Sequence, residues 1–168
     1  MIVAIQPAYG DAWTRNQFAA TLDHAVSFAE LPYCQHLTRG ELSALTDLHP
    51  AGLAACWGGT RSQAGKISQL QRGDLVLLTG QRHVRCVGQV GAVLDNIDFA
   101  HAVWGPHPRR CSFEIVYSLT RFRRIEVPYG VLQAALGTSE RDNFQGLRLV
   151  RDRPRVDAVR ELVERGVL

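Results

Sequence analysis

Two apolar runs, DLVLLTG at 74–80 and VRCVGQVGAVL at 84–94, meet at GQRH over 80–83. They read as the arms of a β-hairpin, because each is long enough for a strand and the joint is rich in turn residues. Gly88 and Gly91 interrupt the second arm and predict a bulge or a sharp bend there. Strands that bend in this way occur in small closed barrels. The hairpin therefore sets the expected architecture, and the remaining segments must pack around it.

MIVAIQ predicts an opening strand. Phe18, Leu22, Ala25, Val26 and Phe28 predict helix within 14–31, and RGELSALTDL a second helix. LAACW reads as a strand, and ISQLQRGD as a helical turn closed by Gly73. DNIDFAHAVWG carries a polar cap followed by Ile97, Ala100, Val103 and Trp104, a short amphipathic helix. FEIVYSL and RRIEVP read as two further strands, YGVLQAALG as a helix ending on Gly137, and NFQGLRLV as a last strand or ordered tail. Residues 154–166 begin on Pro154, end on Gly166 and place Val156, Val159, Leu162 and Val163 on one face of a helix. The expected fold is α+β, a small mixed or antiparallel β-barrel surrounded by short helices. Residues 1–150 form the expected domain, with 151–168 a C-terminal helix that packs on it or leads out of it.

A chain of 168 residues with 46% apolar content suits one folded domain. No apolar run approaches the roughly 18 residues of a membrane span, and the N-terminus lacks the basic and apolar regions of a signal peptide. The expectation is a cytoplasmic protein with no membrane partner. Of 19 basic residues only Lys66 is lysine; the rest are arginine. A GC-rich genome gives that bias, and so does phosphate recognition by arginine's planar fork. Cys34, Cys56, Cys86 and Cys111 form no metal-ligand pattern with the histidines, so neither a metal nor a cofactor is expected.

CWGGTRSQAGKIS, residues 56–68, invites comparison with a phosphate-binding loop. The pattern fails. Gly59 stands one residue too far from Gly65-Lys66, Thr60 occupies the glycine position, and Ile67 replaces the magnesium-binding hydroxyl. No nucleophile elbow, zinc-protease motif or paired-carboxylate signature occurs, so no catalytic residue is assigned. What remains is Trp57 at the end of an apolar strand, beside two glycines and a polar, basic loop. Gly58 and Gly59 would let backbone approach a ligand. Thr60, Ser62 and Gln63 offer hydrogen bonds, and Arg61 and Lys66 offer phosphate contacts. The set suits a stacked nucleobase with its phosphates; it also suits a core tryptophan beside a loop.

Taken in order, IQPAYGDAWTRNQFAATLDHAV, CWGGTRSQAGKISQLQRGDLVLLTGQRHVRCVGQV, LDNIDFAHAVWG, FEIVYSLTRFRRIEVPYGVLQAALG and NFQGLRLV resemble the N-terminal sensor domain of modification-dependent restriction proteins. That domain belongs to the EVE group of the PUA-like fold and is similar to YTH domains. Its relatives carry it fused to an HNH endonuclease or a McrB-type GTPase. The resemblance covers roughly residues 1–150. It implies a non-enzymatic reader that holds a modified base of double-stranded DNA, flipped from the helix, in an aromatic cage. The partner would be a nuclease domain or subunit, in cis or in trans, within a restriction or phage-defence system. Trp57 matches the tryptophan that opens the cage. Gly58 stands where YTH domains often carry serine, leaving a backbone amide for the base. Phe99 and Trp104 are the candidates for the second wall. Arg61, Lys66, Arg82, Arg109 and Arg110 are the first candidates for DNA-backbone contacts, with Arg121, Arg123 and Arg124 a further cluster.

Three other readings remain open on the sequence. One is a PUA-like RNA-binding module, since a basic rim does not distinguish ribose from deoxyribose. Another is a hydrolase or transferase using Cys56 or a histidine. The last is an interaction domain without a ligand.

Overall fold

The computed structural model describes residues 1–107 and 112–168, and six strands and six α-helices are found among them. The strands are β1 (Val3–Pro7), β2 (Ala55–Gly59), β3 (Leu75–Gly80), β4 (His83–Leu94), β5 (Ile115–Pro128) and β6 (Arg148–Val150). The helices are α1 (Ala12–Phe18), α2 (Arg39–Leu48), α3 (Ala64–Ile67), α4 (Ile97–Trp104), α5 (Tyr129–Leu136) and α6 (Arg153–Glu164). The strands form one sheet in the order β2-β5-β4-β3-β1-β6. Only β1 and β3 pair in parallel; every other neighbouring pair is antiparallel.

Side chains alternate across this sheet as strand geometry requires. Ala4, Val76, Leu78, Trp57, Tyr117 and Leu119 line the concave face, where Phe18 and Leu22 join them. Val3, Ile5, Leu75, Leu77 and Val87 face the other way, under Leu132 and Leu136 of α5 and Val156 and Val159 of α6. Cys56, Leu94 and Val116 meet Leu45 of α2 and Phe99 of α4 in a third cluster.

The bend expected at the glycines is present. Pairing of β4 with β5 slips between Val87 and Gln89 and again between Val90 and Val93. A Cβ on Gly91 would lie 2.5 Å from the Ser118 hydroxyl, which accepts the Ala92 N–H at 3.0 Å. Opposite the first slip, Arg121 adopts φ 49°. Bulges absorb the bend, so β5 runs unbroken where two strands were expected.

The sheet curls but does not close, which corrects the expected barrel. Along its outer edge β1 pairs with β6 only from Val3 to Ile5. Beyond that point Pro7 has no N–H to give, and the Gln6 side chain takes over the role of a ladder. Its amide donates to the Gly58 carbonyl at 2.8 Å and its Oε1 accepts the Tyr117 hydroxyl at 2.7 Å. A side chain thus spans the gap between β1 and β2, and the mouth of that seam stays open. Burial holds the Tyr117 phenol well above its ordinary pKa, so it remains the donor.

The first helix also ends earlier than its apolar spacing suggests. After α1 a wider turn runs from Ala19 to Asp23, and Val26 then bridges Ala54 through hydrogen bonds of 2.8 and 3.0 Å. Among the described residues no helix is long and apolar enough to cross a membrane.

Candidate functional site

The mouth of the seam is a notch of about 550 Å³, within the roughly 300–1,000 Å³ typical of small-ligand pockets. Its aromatic wall is made by Trp13 of α1 and Phe113, which precedes β5, with His107 beside them. Trp13 lies 4.5 Å from His107 and 5.3 Å from Phe113 between ring centroids. Gln6 and Pro7 form the β1 side; Thr60, Ser62 and Gln63 form the opposite rim, after β2.

Local sequence explains this placement. Asp11 caps α1 by accepting the Thr14 N–H at 2.8 Å, which fixes the first helical turn. Trp13 stands five residues before Phe18, roughly 140° round the helix at 100° per residue. When Phe18 packs into the core, Trp13 therefore faces the seam. On the other rim, Thr60 and Gln63 form a reciprocal cap, the Thr60 N–H reaching the Gln63 Oε1 at 3.2 Å. The Thr60 and Ser62 hydroxyls are 2.8 Å apart.

Trp57, expected to open a cage, is wholly buried on the concave face and does not line the notch. It stands directly behind the notch wall, 5.4 Å from Phe113. Trp104 braces the same ring at 5.2 Å and meets Trp57 at 6.4 Å. Phe99 is buried against α2 and β2, away from the notch. Gly58 and Gly59 serve the packing. A Cβ on Gly58 would come within 2.4 Å of the Ile115 carbonyl and 2.9 Å of Trp104, and one on Gly59 within 2.5 Å of Ile67. Of the residues expected at the base, Thr60, Ser62 and Gln63 do reach the notch.

The basic residues divide sharply. Arg61 is committed to Glu114 at 2.8 Å and Asp95 at 2.9 Å, and those hydrogen bonds hold its guanidinium above its ordinary pKa. Arg82 lies at the hairpin tip and bonds Asn143 at 3.1 Å. Arg124 pairs with Asp23 at 3.1 Å and covers the Phe18 ring. Arg123 donates to the Leu168 carbonyl at 2.7 Å. Arg121 and Arg123 line a separate cavity beneath α6. Lys66 is exposed beside the notch. Arg109 and Arg110 lie outside the described residues.

Burial pushes the Cys56 thiol up to about 12 and raises that of Cys86 as well. Both therefore stay protonated at neutral pH and are poor nucleophiles. Apart from Thr60, Ser62 and Gln63, none of the residues that line the notch was singled out by the sequence reading, the aromatic wall of Trp13 and Phe113 included. For Trp13 a signal existed, since it stands out of phase with Phe18, the buried residue of its helix.

A curled, open mixed sheet flanked by short helices, with an aromatic notch at its seam, makes this a small α+β domain. No family model matches the chain, and no curated protein matches it. Among solved structures it is similar to the N-terminal domain of Thermococcus gammatolerans McrB bound to m5C DNA, with a TM-score of 0.71 over 100% of both chains and 15% sequence identity. At that identity the likeness establishes a shared fold.

Proposed function

We propose that this chain is a reader of modified bases in double-stranded DNA and the sensor of a restriction system whose nuclease acts in cis or in trans. The observation that carries this reading is the Trp13–Phe113 notch, set in a fold that the McrB domain presents to m5C DNA. Flipping a base costs a few kcal/mol, which stacking and edge hydrogen bonds in a fitted pocket must recover. Trp13 and Phe113 supply flat faces. Thr60, Ser62 and Gln63 supply donors and acceptors at the rim. Trp57 and Trp104 hold Phe113 from behind, so they preorganise the wall without themselves touching the ligand. A methyl group adds only about 1 kcal/mol of apolar burial; selectivity must therefore come from the tightness of fit.

Matched duplexes carrying cytosine, 5-methylcytosine, 5-hydroxymethylcytosine or N6-methyladenine, with single-stranded RNA alongside, test this by fluorescence anisotropy. The expected result is preference for one modified duplex, reduced about 5- to 150-fold in Trp13→Ala, as loss of one stacking face worth about 1–3 kcal/mol implies. Equal binding to every duplex, or tighter binding to RNA, would overturn the reading.

A further inference from the structure

The notch continues past its own rim. Gln145 lines it and also lines a shallower groove of about 400 Å³ along the open edge of β6. Lys66, Gln69, Arg148 and Arg151 form the polar wall of that groove, and among the described residues neither aspartate nor glutamate lines it. Arg151 leads onward to a third depression of about 340 Å³ on α6, with Arg153 and Arg160.

Charge is uneven along this path. Lys66 gives one N–H to the Leu147 carbonyl at 2.7 Å and has two more to offer. Arg151 touches the neutral amide of Gln69. Arg148 is neutralised by Asp142 through contacts of 2.5 and 3.0 Å. Farther out, Arg153 and Arg160 face Asp157 at 3.7 and 3.8 Å, and Arg160 also meets Glu164 at 3.2 Å. The uncompensated cations therefore lie on the stretch nearest the notch. A base cannot enter the notch without bringing its own backbone to the rim, and backbone phosphates are what such cations bind.

We propose that this groove is the phosphate track of the reader: Lys66 and Arg151 hold the backbone of the DNA strand that leaves the notch past Gln145, along the edge of β6. The assignment rests on the reader function proposed above. It makes Arg151, at the threshold of α6, a DNA contact. Arg61 and Arg124 are excluded from the track because carboxylates already engage their guanidinium groups, and Arg82 because it lies at the hairpin tip and does not line the groove.

The test is binding of the full chain to unmodified and 5-methylcytosine, 5-hydroxymethylcytosine and N6-methyladenine duplexes over a range of salt concentrations. Arg151→Gln and Lys66→Gln are each expected to weaken modified and unmodified duplexes by the same factor. Each should lower the slope of log affinity against log salt by about one. The ratio between modified and unmodified DNA should not change, and Arg151→Lys should restore the slope. Trp13→Ala should do the opposite, collapsing the ratio and keeping the slope. Arg165→Gln, whose side chain pairs with Glu161 at 3.2 Å outside the groove, should change neither. Lys66→Gln loses a tie to Leu147, so its unfolding midpoint is measured in parallel; Arg151 is exposed, and its variant reads the track independently of folding. Unchanged slopes in both variants, with the ratio still lost in Trp13→Ala, would overturn the track and leave the reader standing. No preference among duplexes in the wild type would overturn both.

Discussion

Phe113 touches both Trp57 and Trp13, yet burial separates the two indoles. Trp57 is fully enclosed, with Phe18, Trp104 and Phe113 packed around it; Trp13 keeps part of its surface at the notch. Trp57→Ala should therefore cost about 3–5 kcal/mol, as large-to-small core changes do, whereas Trp13→Ala should cost about 1 kcal/mol, the scale of an aromatic pair. Urea unfolding midpoints would separate the two, and a binding loss in Trp57→Ala without that measurement would say nothing about contact with DNA. A second residue-scale expectation concerns His49. Desolvation lowers its pKa in the folded state. Above about pH 6.5 both states carry it neutral. As pH falls below that value the unfolded chain takes up the proton first, so stability declines until the folded pKa is reached. His49→Gln should flatten that part of the stability–pH curve.

Among the elements, one polar side chain reinforces the apolar cluster that α2 and α4 share. Asn96 caps α4 by accepting the Phe99 N–H at 2.9 Å. Its amide also donates to the His36 carbonyl at 2.9 Å and to the Glu41 carboxylate at 3.0 Å. Glu41 completes the capping box of α2 with Thr38. Asn96→Ala removes a cap worth about 1 kcal/mol and a hydrogen bond to a charged group worth about 1.5–3 kcal/mol. A total loss of about 2–4 kcal/mol is expected, and thermal or chemical unfolding would measure it. Trp104 sits on α4, so a loosened helix also loosens the brace behind Phe113, and DNA affinity should fall with stability.

At the scale of the whole molecule, the seam joins folding to function. Gln6→Ala would leave the Gly58 carbonyl and the Tyr117 hydroxyl without their buried partner, at about 1–3 kcal/mol for each group. The variant should unfold at lower denaturant and bind modified duplex more weakly, because the same gap forms the notch; wild-type affinity in a destabilised Gln6→Ala would separate the two. Much of the element order was legible in the sequence, because periodicity, caps and turn residues are local. The hairpin, the bend at Gly88 and Gly91, α2, and the helix closed by Gly137 followed from such signals. What local signals could not carry was partnership across distance. Val26 leaves the helix to meet Ala54, β5 continues through a bulge at Arg121, and Gln6 crosses the sheet to Gly58. The site divides in the same way. Thr60, Ser62 and Gln63 line the notch, whereas which of Trp13 and Trp57 is the exposed indole depends on which face of the curled sheet each meets. The same holds for the arginines, since a carboxylate partner such as Asp95 for Arg61 is remote in sequence.

Lys66 is the one lysine in the sequence, and it ties α3 to the strand leading into β6 through the Leu147 carbonyl. A reagent that acylates side-chain amines thus has a single side-chain target, placed in the wall of the groove. Acylation there would erase a charge and release a structural tie in one event. The arginine-rich composition leaves this molecule chemically addressable at one side-chain amine, where a covalent label could report occupancy of the neighbouring groove.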